Sequence, residues 1–321
     1  MRAVQVLAPA GPSDVVVSDV PEPTPAPGQV LVEVHRVGIS FPDLLLSKGE
    51  YQLRPEPPFT LGVDFAGVVV SGDGFAPGQR VAGVGPYGGA AELVLGSAEN
   101  VFALPDSITF DEAVALPMNY LTALFALDER GGVRPGETVL VHGAAGGVGT
   151  ASLQVAKGLG ARTIAVVSTE EKRAFALAAG ADEAVLADGF KDAARTLTDG
   201  AGVDVVLDVV GGTLFTDSLR ALAPQGRVLV VGFAAGEGIP EVKVNRLLLN
   251  NVDVRGVGWG AYAFARPGYL AQQWAQLLPM IEAGTVKPPV GKVYPIEEFG
   301  QALVDMDERA TLGKSVVRIR D

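Results

Sequence analysis

The stretch VLVHGAAGGVG, residues 139–149, decides how this chain reads. Three valines and a leucine run into a turn made almost wholly of glycine and alanine. GVGTASLQVAKGLG (147–160) then carries a helical pattern that ends on glycine, and TIAVVS (163–168) is the next predicted strand. Strand, glycine-rich turn, helix, strand is the opening of a parallel sheet wound with helices. At that turn a dinucleotide lays its pyrophosphate. The backbone must come close, and the helix N-terminus offers free N–H groups and partial positive charge. The fingerprint G-x-G-x-x-G reads here Ala144-Ala145-Gly146-Gly147-Val148-Gly149, with alanine in the first glycine position.

Working outward, strand and helix keep alternating. EEKRAFALAAG (170–180) is a predicted helix, and DEAVLAD, DVVLDVVGG, GRVLVVGF and VDVRGVGW (252–259) are predicted strands with helical stretches between them. Apolar, β-branched strands in that order imply a parallel sheet covered on both faces. MNYLTALFALDERGGV reads as a helix with Leu121, Leu124, Phe125 and Leu127 mostly on one side. Before it, QVLVEVHRVGI (29–39), FAGVVVSG (65–72), RVAGVG (80–85) and AAELVLG (90–96) are short apolar runs closed by Gly or Pro turns, which suits a β-rich, barrel-like domain. After Trp259 come two predicted helices, 268–284 and 295–308, and a last strand, KSVVRI (314–319).

Composition bounds the function. The 321 residues suit two domains, and 48% hydrophobic with 19% charged residues suits a compact soluble chain. A net charge of −12 disfavours nucleic acid and anionic membranes as partners. No apolar run approaches the ~20 residues that span a bilayer, and the N-terminus has no h-region, so the expected location is cytoplasmic. With no cysteine, thiolate nucleophiles, disulfides and thiolate-bound zinc drop out together. At the end of the second strand of the series stand Ser168 and Thr169 rather than an acid, with Lys172 and Arg173 a turn later. Small hydroxyls and cations suit a 2′-phosphate, so NADPH is expected over NADH.

At this point the chain resembles the zinc-free quinone oxidoreductases of the medium-chain dehydrogenase/reductase superfamily, relatives of zeta-crystallin, over its whole length. The signature is met by Gly136-Glu137, Leu140, the 144–149 turn, Gln154 and Lys157; further matching stretches are VGISFPDLLLSKGEY (37–51), PFTLGVDFAGVV (58–69), LPMNYLTAL (116–124), DVVGG (208–212), VGF (231–233) and ERATLGKSVV (308–317). The resemblance implies an α/β chain: a GroES-like β-rich catalytic domain over 1–116 and 261–321, and a doubly wound, parallel-sheet Rossmann NADP(H) domain over 117–260. It implies a homodimer through edge strands, with 252–259 as the edge. It places Ser168 and Lys172 at the 2′-phosphate and brings Arg309 there from the C-terminal segment. Asn119 and Thr122 fall in the helix under the nicotinamide half, and Val210 and Phe233 line or cover the nicotinamide. Ala187 stands where some members carry a tyrosine near the 2′-phosphate, and Asp64 where relatives often have glutamate. Ser40 and Val63 replace the cysteine and histidine of zinc-dependent cousins, so no metal site is expected. His35 and His142 read as packed strand residues.

Without metal or thiol, the chain offers positioning and hydrogen bonds, and the cofactor carries the hard step. A quinone or activated enone suits hydride delivery, because the developing charge sits on an oxygen that needs a donor. Tyr51, where related enoyl-thioester reductases keep a catalytic tyrosine, is the first candidate donor. Ser40 and Asn119 follow, and Asp43 suits a helix-start role. Trp259 and Tyr262 would cover substrate or pack at the dimer edge. The alternatives are an enoyl-CoA or enoyl-ACP reductase, for which Arg54 and Arg266 make no cluster, and a non-enzymatic, crystallin-like cofactor-binding protein with an RNA-binding or structural role.

Overall fold

The structure, a computed structural model, describes residues 1–321. The chain divides into two compact units, Met1–Met118 with Leu270–Trp274 and Pro288–Asp321, and Asn119–Tyr269 with Ala275–Lys287. The return to the first unit, expected at residue 261, therefore falls at Pro288 apart from a few residues of one helix.

The first unit opens with an antiparallel pair, β1 (Arg2–Val6) and β2 (Val15–Asp19). Its larger sheet is built on β3 (Gln29–Gly38), where Val30, Val32, Val34 and Val37 are buried. Alternation puts Val30, Val32 and Val34 inward, as period 2 requires, and an irregularity between Val34 and Arg36 changes the phase before Val37. After β3 come α1 (Phe41–Lys48), β4 (Phe59–Thr60), β5 (Asp64–Gly72), β6 (Arg80–Val84), β7 (Leu93–Ser97), β8 (Val101–Ala103) and the short α2 (Phe110–Ala113). One edge of β3 pairs with β5 along its length. The other is shared, residues 29–33 with β7 and residues 36–38 with the last strand of the chain. A strand shared this way wraps the sheet around one core, which also takes in Leu44, Leu46, Leu61 and Phe65.

The second unit begins within a helical run, in which π-type turns at Leu116–Tyr120 and Phe125–Arg130 flank α3 (Leu121–Leu124). All four apolar residues expected on one side of this run are buried. There follow β9 (Thr138–His142), α4 (Gly147–Gly158), β10 (Arg162–Val167), α5 (Glu170–Ala178), β11 (Glu183–Leu186), α6 (Phe190–Leu197), β12 (Val203–Asp208), α7 (Gly212–Ala221), β13 (Leu222–Val230), α8 (Asn245–Asn250), β14 (Asp253–Gly256), α9 (Trp259–Ala263) and α10 (Tyr269–Glu282). The six strands are parallel in the order β11-β10-β9-β12-β13-β14. The chain reverses its winding between β9 and β12, the crevice where doubly wound sheets hold ligands. The expected strand 252–259 is shorter than its apolar pattern: its partner β13 ends at Val230, opposite Gly256, and Trp259 starts α9. The first unit is completed by β15 (Val290–Pro295), α11 (Phe299–Asp307) and β16 (Lys314–Arg318), the last being the strand that closes on β3.

The signature residues outside the glycine turn serve the scaffold. Glu137 takes two hydrogen bonds from Arg227, at 2.8 and 2.7 Å, and Arg227 also donates to the carbonyls of Gly131 and Gly132. Gln154 accepts from Tyr120 Oη and Lys287 N and donates to the carbonyls of Ala179 and Lys287, so every polar atom of its amide is used.

Candidate active site

The opening stretch is β9, its turn and α4. Gly146 is the N-cap of α4 and no side chain caps it. The first N–H groups of a twelve-residue helix thus remain for an external acceptor. The glycines of this turn do different work. A Cβ on Gly149 would lie 2.2 Å from Gly143 O, so Gly149 is required by strand-to-helix packing. A Cβ on Gly147 would strike Asn119 Nδ2 at 2.4 Å. A Cβ on Gly146 would meet nothing closer than 3.4 Å, and its φ is −89°, so the protein itself would accept a side chain there. Nothing within the protein requires Gly146 to lack a side chain. Ala144 and Ala145 are buried, and Ala144 N donates to Val166 O, which ties the turn to β10.

Ser168 follows β10 directly and is exposed, on the same sheet edge as the turn. Thr169 caps α5 by accepting Lys172 N at 3.2 Å, which places Lys172 on the first turn above Ser168. Arg173 is committed elsewhere: its Nε donates to Ala184 O at 2.8 Å and its Nη1 lies 3.3 Å from Glu170. This arginine braces α5 against β11. Ala187, next to the same edge, donates its N–H to Val167 O.

Asn119 and Thr122 are buried, and the Asn119 amide lies against Gly147. Val210 sits in the loop after β12, where Asp208 Oδ1 accepts the N–H groups of Val210 and Gly211 at 2.8 and 2.9 Å. Phe233, after β13, is 37% exposed and packs beside Gly211. Arg309 lies in the other unit, exposed, in the loop between α11 and β16 with φ 58°. His142 is fully buried in β9 and burial pushes its imidazole down to about 3.

The first unit contains a buried polar cluster of its own. Ser40 is the N-cap of α1, with Asp43 returning to Ser40 N at 3.1 Å and also accepting Gly62 N at 2.9 Å. Asp64, wholly buried, accepts Ser40 Oγ at 2.8 Å, Met118 N at 2.9 Å and the Lys314 ammonium at 2.6 Å. Lys314 donates to Ser40 Oγ as well, at 2.6 Å. The Ser40 proton therefore goes to Asp64, and the residue is 4% exposed. A hydroxyl so placed has no proton left for an outside acceptor, unlike the donor role expected of it. Burial raises both carboxyls, Asp43 to about 7, with the ammonium of Lys314 opposing this at Asp64. Lys314 escaped the sequence reading. Its signal was a lysine opening an otherwise apolar last strand, with two aspartates in apolar surroundings to receive it. Tyr51 follows the left-handed Gly49 that ends α1 and is half-buried against the core. Burial, then Asp43, raises its phenol. No hydrogen bond within the protein holds its hydroxyl, so that group is available to a ligand.

A GroES-like β-rich unit and a parallel-sheet Rossmann unit define the fold of the medium-chain dehydrogenase/reductases, and the comparisons agree. Residues 26–106 match the model for the alcohol dehydrogenase GroES-like domain, and residues 147–283 match the zinc-binding dehydrogenase model. The chain is 38% identical over 309 residues to quinone oxidoreductase-like protein 2 of Bos taurus, covering 93% of this chain and 88% of that one. It is 34% identical to the quinone oxidoreductase of Rattus norvegicus, covering 99% and 97%. The crystal structure of the quinone oxidoreductase from Thermus thermophilus, also solved with NADPH, superposes with a TM-score of 0.86 at 36% identity, over 99% of this chain and 100% of that one. The chain belongs to the quinone oxidoreductase branch of the medium-chain dehydrogenase/reductase superfamily.

Proposed function

We propose that this protein is an NADPH-dependent oxidoreductase that reduces a quinone or activated enone without zinc. The observation that carries the reading is the uncapped N-terminus of α4 at the sheet's switch point, with Ser168 and Lys172, and no acid, at the end of the neighbouring strand. The quinone oxidoreductase relatives and the NADPH complex of the Thermus protein support it. When bound, the nicotinamide supplies the hydride. The α4 N–H groups hold the pyrophosphate, Lys172 and Ser168 take the 2′-phosphate, Arg309 adds a cation from the C-terminal segment, and Asn119, Thr122, Val210 and Phe233 shape the nicotinamide end. Tyr51 donates a hydrogen bond to the acceptor oxygen as charge develops on it.

The zinc donors of the wider superfamily do not fit this chain. Ser40 and Val63 supply no thiolate or imidazole, and Asp64 is neutralised by an ammonium at 2.6 Å, which would repel a dication. An enoyl-thioester substrate would call for a basic surface. Arg266 does not supply it, because its guanidinium lies 3.5 Å over the Tyr262 ring and donates to Tyr262 O. We further propose a homodimer through the free edge of β14, beside which α8 exposes Leu248 and Leu249 at 76% and 74%.

Calorimetric titration with NADPH and NADH, on the native protein and on Lys172→Ala, tests the cofactor reading. NADPH is expected to bind at least tenfold tighter, about 1.4 kcal/mol, and the substitution to close that gap. Equal or tighter NADH binding refutes the roles of Ser168 and Lys172. No binding of either refutes the enzyme reading and favours a non-enzymatic role.

A further inference from the structure

Two buried acceptors lie side by side beneath the loops that would hold the cofactor. β9 and β12 are neighbours, paired Val205 to Val139, Val206 to Leu140 and Leu207 to Val141. The next pair in that register is Asp208 and His142, the last residue of each strand. Parallel partners share a face, and period 2 puts this pair on the face of Leu140 and Val206. That face is covered by α7 and by Phe190, whose ring meets the His142 ring edge-on at 4.7 Å.

Both side chains are wholly buried, and each has one polar atom that no protein group reaches: His142 Nδ1 and Asp208 Oδ2. The chemistry of Nδ1 is fixed by the other ring nitrogen. Ser218 Oγ gives its proton to Leu214 O at 2.7 Å, so in its 2.7 Å contact with His142 Nε2 it must accept. His142 is therefore the Nε2–H tautomer and Nδ1 is a bare lone pair. Asp208 Oδ1 is saturated by Val210 N and Gly211 N, and Oδ2 needs a donor too. Two orphan acceptors on adjacent strand ends, each costly if left unmet, call for one small group with two hydrogens to give.

We propose that a single buried water donates one hydrogen to His142 Nδ1 and the other to Asp208 Oδ2, and that this bridge makes both side chains positioning residues for the dinucleotide loops. Its reach follows from what each residue carries. His142 leads directly into the Gly143 turn. Asp208 shapes the loop bearing Val210. The two loops touch, since a Cβ on Gly143 would lie 2.9 Å from Val209 Cγ2 and 3.3 Å from Val210 Cγ2. A polar link under that contact fixes the spacing of the phosphate turn and the Val210 loop at once. The positioning half rests on the cofactor reading above; the water site does not.

The chain has only two histidines, so a His35→Gln variant leaves a single imidazole for nitrogen-detected NMR on the cofactor-free protein. The expected result is the Nε2–H tautomer with a water cross-peak to the His142 Hε1 proton. An Nδ1–H tautomer, the lack of that cross-peak, or a crystal structure with Asp208 bonded directly to His142 overturns the bridge. For positioning, Asp208→Ala is expected to weaken NADPH at least tenfold. Asp208→Asn keeps an acceptor for the two N–H groups and a polar atom for the water, and is expected to stay within threefold. Loss of binding in both variants, or in neither, overturns the positioning role. If Asp208→Ala does not fold, His142→Phe, which removes the other end of the bridge, takes its place with the same tenfold expectation, and binding within threefold in it overturns the positioning role. Failure of the native protein to bind NADPH removes the cofactor reading and the positioning role together, while the NMR result still decides the water.

Discussion

Gly146 and Gly149 stand three residues apart in one turn and carry different obligations. Gly149→Ala drives a Cβ into Gly143 O, and neither backbone can yield, so a loss of about 1–3 kcal/mol is expected in urea unfolding. Gly146→Ala makes only an ordinary van der Waals contact, with Gly143 O at 3.4 Å, and is expected to leave unfolding unchanged, yet to weaken NADPH at least tenfold by calorimetry. The fingerprint in the sequence named both glycines without telling them apart, because the collision that separates them is between Gly149 and Gly143, across the turn. For Tyr51, kinetics separates a donor from a wall. Tyr51→Phe is expected to lower kcat about 100-fold with KM little changed, in line with a lost proton donor; an unchanged kcat would make the ring a wall only. Lys314 was invisible as a site residue, since its meaning comes from Asp64, 250 positions away in sequence. Lys314→Met leaves a buried carboxylate unmatched and is expected to cost about 3–5 kcal/mol. Adding Asp64→Asn should recover part of that loss in the same unfolding assay.

At the scale of elements, the parallel strands were legible because each is a short β-branched run between glycine punctuations, and the helices because they end where glycine allows a left-handed turn. The ends were less so. β14 stops early for want of a partner beyond Val230, and the helix read through 118–133 contains π-type turns that a 3.6-residue pattern does not announce. The signature acid Glu137 joins β9 to β13 through Arg227, which in turn holds the Gly131 and Gly132 carbonyls. Arg227 holds the Glu137 carboxyl below its ordinary value of 4.5. The folded state thus binds that proton less readily than the unfolded chain. The contribution is complete above pH 4.5 and is lost as the pH falls through the lowered folded value. Glu137→Gln is expected to cost about 1–3 kcal/mol at pH 7, and its deficit relative to the native protein should shrink below pH 4.5 in urea titrations.

For the molecule as a whole, the charge of −12 and the absence of any helix long and apolar enough to cross a membrane frame its surface chemistry. Against that acidic surface, the leucines of α8 stand out beside the open edge of the parallel sheet. Leu248→Lys with Leu249→Lys is expected to halve the mass seen by sedimentation velocity. Unfolding of the separated chains should shift by less than about 0.5 kcal/mol, as is usual for exposed positions. A mass unchanged by the pair of substitutions would remove β14 and α8 from the interface.

By itself, the sequence determined the two-part architecture, the parallel sheet and the place of the glycine turn. Those depend on local periodicity and on residues close together in the chain. It also determined that no thiolate is available, since composition alone answers that. Tertiary structure decided which polar residues are spent on the scaffold. Ser40 and Gln154 have their polar atoms taken by partners far away in sequence, and only folding brings those partners within reach. It alone also set His142 beside Asp208, because the register of two strands distant in sequence is fixed by the packing of the sheet and not by either strand.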